Sequence, residues 1–177
     1  MSDPFAAHAA PGFDDPLGML RACHRRIERQ LKTLTRLQRH LPEHHADDEA
    51  RAAATAILRY FDTAAINHHA DEEDSVFPRL VAVKPDMARL TGDLRREHAD
   101  LAARWKRLRP LLAAIVAKNG AHLPVKDVAL FCAAYAEHIA REESRLLPGA
   151  EEALGRDVLT DIGAEMAARR AVATAVP

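Results

Sequence analysis

Glycine is scarce in this chain, 7 of 177 residues, and no long run alternates polar with apolar residues. Both shortages argue against strands and leave helix as the main element. Cysteine is scarcer still. Cys23 and Cys132 lie too far apart for CxxC chemistry and are too few for a disulfide framework, so both read as small buried hydrophobes. Neither sign of charge dominates: 25 Lys and Arg against 26 Asp and Glu leave a net charge of −1, with no block that would attract nucleic acid or anionic lipid. The longest apolar runs, such as LLAAIVA at 111–117, fall far short of the ~20 residues of a membrane span. The N-terminal MSDPFAAHAAPGFDDP lacks a basic region followed by an apolar one. The expectation is one soluble, cytoplasmic domain with no nucleic-acid or membrane partner.

Helix breakers divide the chain. Pro16 opens a first helix and LPEHHADD at 41–48 closes it; VKPD at 83–86, KNGAHLP at 118–124 and Pro148 to Gly155 mark further boundaries. The spacing predicts helices over about 16–40, 48–82, 86–117 and 124–151, with a shorter fifth around 156–171. Short connections make neighbours antiparallel, so the expected fold is all-α, an up-down-up-down four-helix bundle. In domain terms, 1–15 is a tail, 16–151 the bundle, and 152–177 a short C-terminal helix and tail.

What the chain has in quantity is histidine, ten residues in all. Each long helix carries an apolar stripe at spacings of three and four, and each stripe contains one histidine. These are His24 among Leu17, Leu20, Ile27 and Leu31; His68 among Ile57, Phe61, Ala65 and Val76; His98 among Leu94, Leu101 and Trp105; and His138 among Phe131, Tyr135 and Leu146. His24 and His68 are about 21 and 23 residues from the turn between them, a height mismatch of about 3 Å at the helical rise. The other pairs agree to within about one turn, so all four imidazoles are expected in one layer.

A phrase is written twice in register with that layer: HHADEEDSVFP at 68–78 and HIAREESRLLP at 138–148. Glu72 and Glu142 follow His68 and His138 by four residues, on the same face one turn along, each phrase ending its helix near a proline. No Lys or Arg lies on the inward stripes to compensate two buried carboxylates, so something positive is expected between them. Four imidazoles and two carboxylates suit iron, manganese or zinc and are too poor in sulfur for copper(I) or an iron–sulfur cluster. Six ligands exceed one tetrahedral zinc and suit two ions, each taking two histidines with both carboxylates bridging. Positions then stay open for water, oxide, dioxygen, peroxide or nitric oxide. The alternative is an internal hydrogen-bonded network without metal.

With His24, HHADEEDSVFP, REHADL around His98 and EHIAREESRLLP, the chain resembles the hemerythrin-like proteins of the HHE cation-binding type over about residues 16–150. The resemblance implies a non-haem, oxo- or hydroxo-bridged di-iron site held by His24, His68, Glu72, His98, His138 and Glu142. It differs from the oxygen-carrying hemerythrins, which have a second histidine one turn after the first in the third helix, where this chain has Ala102. Their last carboxylate is an aspartate five residues after its histidine, whereas here Glu142 stands at four and Glu143 at five. The missing histidine suggests a gap through which an exogenous molecule reaches the metal. The Glu-x-x-His of ferritin-like bundles is absent. With about 15 residues ahead of the first helix, the expectation is also against the repair role of relatives that carry an additional N-terminal cysteine-containing domain.

The functional expectation is a small-molecule binder, sensor, scavenger or stress-response protein for dioxygen, peroxide or nitric oxide, with catalysis left open. Iron handling without turnover is the alternative, and a module whose metal only holds the bundle together is a third. The chain leaves room for a homodimer built on the fifth helix. His69 points about 100° from His68 and suits an outer or solvated position, or a swap into the site. Glu28, one turn after His24, and Glu143 are further ligand candidates. Glu73, Glu97, Glu137 and Glu143 are placed to hydrogen-bond imidazole N–H groups, to pair with nearby arginines, or to face solvent. Tyr135 and Trp105 read as core, and His8, His40, His44, His45 and His122 as surface.

Overall fold

The computed structural model describes residues 11–120 and 122–174, and every regular element among them is helical. Helix α1 spans Pro16–His44. Asp15 caps it by accepting from the Gly18 N–H at 2.9 Å, and Pro16 needs no partner for an N–H it lacks. The helix runs past its expected end because Pro42 is accommodated within the last turn, and His45 in the left-handed region (φ 56°) then stops it. Asp47 caps the next helix through the Ala50 N–H at 2.8 Å.

That next rod, α2, is built from Asp48–Arg59, a π-helical turn at Tyr60–Ala64, Ala65–Ala70, a second π turn at Asp71–Val76, and Phe77–Val83. A 3-10 turn at Pro85–Met87 leads into α3, Ala88–Val116. Helix α4 comprises Val125–Arg141, a π turn at Glu142–Leu146 and Leu147–Ala153, and α5 spans Arg156–Thr174. Helices α1 to α4 each pack on the one before, and α4 returns to α1, which closes the up-down-up-down ring.

The two prolines of the repeated phrase do not end their helices. Each is absorbed by a π turn: the residue before it donates five positions back, Phe77 N–H to the Glu72 carbonyl and Leu147 N–H to the Glu142 carbonyl. A proline ring crowds the carbonyl four residues earlier, and the wider turn relieves that clash while the helix continues. The phrase therefore repeats a backbone irregularity at the carboxylates as well as the side chains.

The apolar interior is split. One cluster packs Ile27, Leu34, Ile57, Phe61, Leu108 and Phe131 toward the α1–α2 turn. The other packs Leu20, Phe77, Leu80, Leu94, Leu147 and Ile162 at the opposite end. Helix α5 lies on this second cluster, burying Ile162 and Met166. Its Gly163 sits so close to the N-terminal segment that an added Cβ would come within 1.8 Å of the Phe13 carbonyl oxygen. Among the described residues, no helix is long and apolar enough to cross a membrane. Cys23 is buried and Cys132 half-buried, both as free thiols.

Candidate metal centre

Between the two apolar clusters lies a layer of buried polar groups. His24, His68, Glu72, His98, His138 and Glu142 are each 4 % exposed or less. The rings form two pairs, His24 with His68 at 4.9 Å between centroids and His98 with His138 at 4.7 Å. The carboxylates connect the pairs. Glu72 turns Oε1 toward His68 Nε2 (3.6 Å) and His24 Nε2 (3.9 Å), and Oε2 toward His98 Nε2 (3.3 Å). Glu142 turns Oε2 toward His24 Nε2 (3.1 Å), and Oε1 toward His138 Nε2 (3.0 Å) and His98 Nε2 (3.7 Å). Each carboxylate thus divides its oxygens between the histidine pairs. Two four-residue groups result that could each hold a cation, His24, His68, Glu72 and Glu142, and Glu72, His98, His138 and Glu142.

The donor atoms are suited to a cation and poorly served without one. Both oxygens of Glu72 and of Glu142, His24 Nε2, and both ring nitrogens of His68 are enclosed without a hydrogen bond of acceptable geometry. The short approaches to Glu142 are therefore contacts that miss the hydrogen-bond direction. Native interiors rarely leave so many polar atoms orphaned together. His98 Nε2 and His138 Nε2 are 3.1 Å apart. Two imidazole nitrogens at right angles about one ion, each about 2.1 Å from it, would be about 3 Å apart.

Electrostatics within the layer are strongly perturbed. Burial alone would lower His24 and His98, but Glu142, Glu72 and the glutamates behind the rings outweigh it, raising His24 to about 9 and His98 to about 10. His138 is raised by the same balance. Burial and the neighbouring Glu142 push Glu72 up to about 7. Burial alone would raise Glu142, but the close approach of His138, His24 and His98 and the charge on His138 override it and hold the carboxyl well below its ordinary range. Burial, with the positive His24 beside it, drives His68 far down.

A family model, the hemerythrin HHE cation binding domain, matches residues 15–150. The chain belongs to this family. A relative from Haemophilus influenzae, carried under the name "Uncharacterized protein", is 33 % identical over 160 residues, covering 90 % of this chain and 92 % of its own length. The HHE domain is a metal-binding domain, and the His and Glu layer is a buried part of this one that could bind metal.

Behind the inner layer of this HHE domain stands a set of carboxylates that fixes the rings. Glu143 Oε1 lies 2.6 Å from His24 Nδ1, Glu73 Oε1 2.6 Å from His98 Nδ1, and Glu97 Oε2 2.9 Å from His138 Nδ1. Each accepts the outward N–H, which holds that proton on Nδ1 and turns Nε2 inward, where a metal would displace the second proton and take the lone pair. The expectation of arginine pairing also holds, since the same groups pair outward: Arg21 with Glu143 (3.4 Å), Arg95 with Glu73 (2.9 Å) and Arg141 with Glu97 (2.5 Å). The repeated Glu-Glu now has a reason. Its first glutamate faces the layer and its second orients the lone histidine of the other half. A signal for this stood in the sequence and was missed: Arg21 and Arg95 each precede their histidine by three, an Arg-x-x-His in both halves.

Other expectations are redistributed. Glu28 is exposed and outside the cluster, as is Glu137. Ala102 is exposed, and the ring beside His98 is His69, stacked at 3.9 Å and 13°. His44, His45 and His122 are exposed, His40 is half-buried and bonded to Asp47 at 2.9 Å, and His8 lies outside the described residues. Tyr135 is core, and Trp105 is half-buried, donating to Asp62 at 2.9 Å. Sequence reasoning did not single out Asp71, which is fully buried next to Glu72 and held by Arg169 and by Arg170 (2.7 Å) from α5.

Two outcomes are expected. Glu97→Gln or Glu143→Gln should weaken metal binding about 10- to 100-fold with the fold intact, as read by chelator competition. In the metal-free chain, the raised groups contribute stability that is fully present below their ordinary values. For His24 and His98 it is lost as pH rises from 6.5 through about 9 and 10. For Glu72 it is lost from 4.5 through about 7. Below pH 6.5 the lowered His68 and His69 oppose the Glu72 loss, so the melting temperature of the metal-free protein should fall between about pH 7 and pH 10. Metal displaces these protons, so the loaded protein should show a flatter profile and an apparent affinity that rises with pH. A metal-free profile that rises over this range would contradict the assignment.

Proposed function

We propose that this HHE-domain protein carries two iron ions, with His24 and His68 on one, His98 and His138 on the other, and Glu72 and Glu142 bridging, and that the centre binds or reacts with a small oxidant. The observation that carries this reading is the division of each carboxylate's two oxygens between the histidine pairs. Iron held there would supply open coordination positions and reversible one-electron change. The chain's own groups do the rest. Glu72 and Glu142 provide the negative charge that draws cations into a dry layer. Glu143, Glu73 and Glu97 hold the proton on Nδ1 of their imidazoles and so keep Nε2 aimed inward. Phe77 and Leu20 above, and Phe131 and Ile27 below, exclude bulk water.

Burial also limits the partner. With the six side chains at 4 % exposure or less, the layer favours a ligand of few atoms, such as dioxygen, peroxide or nitric oxide, over a larger substrate.

The test is to purify the protein, count metal per chain, reduce it anaerobically and record its visible spectrum before and after measured additions of peroxide. Two irons per chain, with a spectrum that responds and peroxide consumed over many cycles, would establish a scavenging enzyme. A stoichiometric response without turnover would favour sensing or iron handling. Zinc alone, or no metal, would overturn the proposal.

A further inference from the structure

We propose that His69 is a seventh ligand to this centre, a fifth imidazole on the half formed by His98 and His138; the inference rests on the two-metal reading above. On a regular helix consecutive residues point about 100° apart, so one dipeptide can serve both halves of the layer. The rings of His68 and His69 are set 5.6 Å apart at 46° to each other. His68 meets His24, whereas His69 stacks on His98 at 3.9 Å and meets His138 edge-on at 5.9 Å. One ring nitrogen from each of His69, His98 and His138 lies within 4.8 Å of the other two.

The placement leaves His69 a need that packing does not meet. Its Nε2 is enclosed with no hydrogen-bond partner. A buried nitrogen in that condition is destabilising, and a bound cation would offset the loss. The equivalent place in the second phrase is Ile139, whose side chain packs in the apolar cluster. The two halves are therefore unequal, with two imidazoles for one ion and three for the other.

The test loads wild type, His69→Ala and His69→Gln anaerobically with cobalt(II) or ferrous ion alone and measures affinity by chelator competition, alongside the visible spectrum of the cobalt forms. Expected is the loss of one ion's affinity by at least the ~10- to 100-fold that an outer partner already costs, with the other within a few-fold. The cobalt spectrum should change for that ion, and added imidazole should restore it in the alanine variant. The glutamine variant keeps most of the side-chain volume and serves if the alanine variant does not fold. Wild-type affinities and spectra in a folded glutamine variant would show His69 to be packing alone, and equal weakening of both ions would also overturn the proposal. If the wild type itself fails to bind two ions, the two-metal reading is what has failed, and the variants are not needed to show it.

Discussion

Replacing Glu72 and Glu142 together with alanine abolishes metal binding at both positions. No cation position in the layer keeps a carboxylate after this change, since each half draws one oxygen from each glutamate. Imidazoles alone would then have to hold divalent ions with no compensating negative charge, in a layer where burial already disfavours charge. The paired glutamine variant keeps the volume and should lose metal equally, which separates the loss of charge from the opening of a cavity. At a thousandfold excess of metal over its dissociation constant, binding stabilises the native state by about 4 kcal/mol. The variants should therefore lose roughly 8–16 °C of the melting temperature that metal confers on wild type. Elemental analysis and a melting curve with and without ferrous ion check both statements. Two metals per chain in either variant would contradict the bridging roles.

Asp71→Ala should destabilise the protein by about 3 kcal/mol and release α5 from the bundle. Asp71 is fully buried, and it accepts from Arg169 and Arg170 across about a hundred residues of chain. Removing one partner of a buried pair costs roughly 3–5 kcal/mol. The low end applies because the arginine side chains remain 22 % and 26 % exposed. For a domain of this size the melting temperature should fall by roughly 6–12 °C. Limited proteolysis should then cut within or before Arg156–Thr174 first, because Arg79 to Glu165 (2.6 Å) is a half-exposed pair that contributes little by itself. Unchanged melting and an uncut α5 would show that burial of Ile162 and Met166 holds the helix without the ion pairs. Because Asp71 adjoins Glu72, metal affinity measured in the same variant reports whether α5 also steadies the centre.

The family, the all-α fold and the six inward residues were legible because each rests on local periodicity. A histidine inside an apolar stripe must face inward, and a four-residue interval places a carboxylate on the same face. Equal distances from a turn set equal height in antiparallel helices. The ends of α2 and α4 fall within two residues of the expected ones, whereas the end of α1 and the backbone inside α2 and α4 were less legible, since a proline reads as a break unless a wider turn accommodates it. The π turns at Asp71–Val76 and Glu142–Leu146 supply that accommodation.

What the sequence by itself determined is therefore the inner set of His24, His68, Glu72, His98, His138 and Glu142 and the bundle that aligns them. Only the tertiary structure decided which neighbours serve that set. Whether Glu143 reaches His24, whether His69 stacks on His98, and whether Asp71 meets Arg169 and Arg170 depends on how separate helices are rotated against one another. Periodicity fixes a residue's direction from its own helix axis. It does not fix which side chain of another helix, a hundred residues away, arrives at the same point.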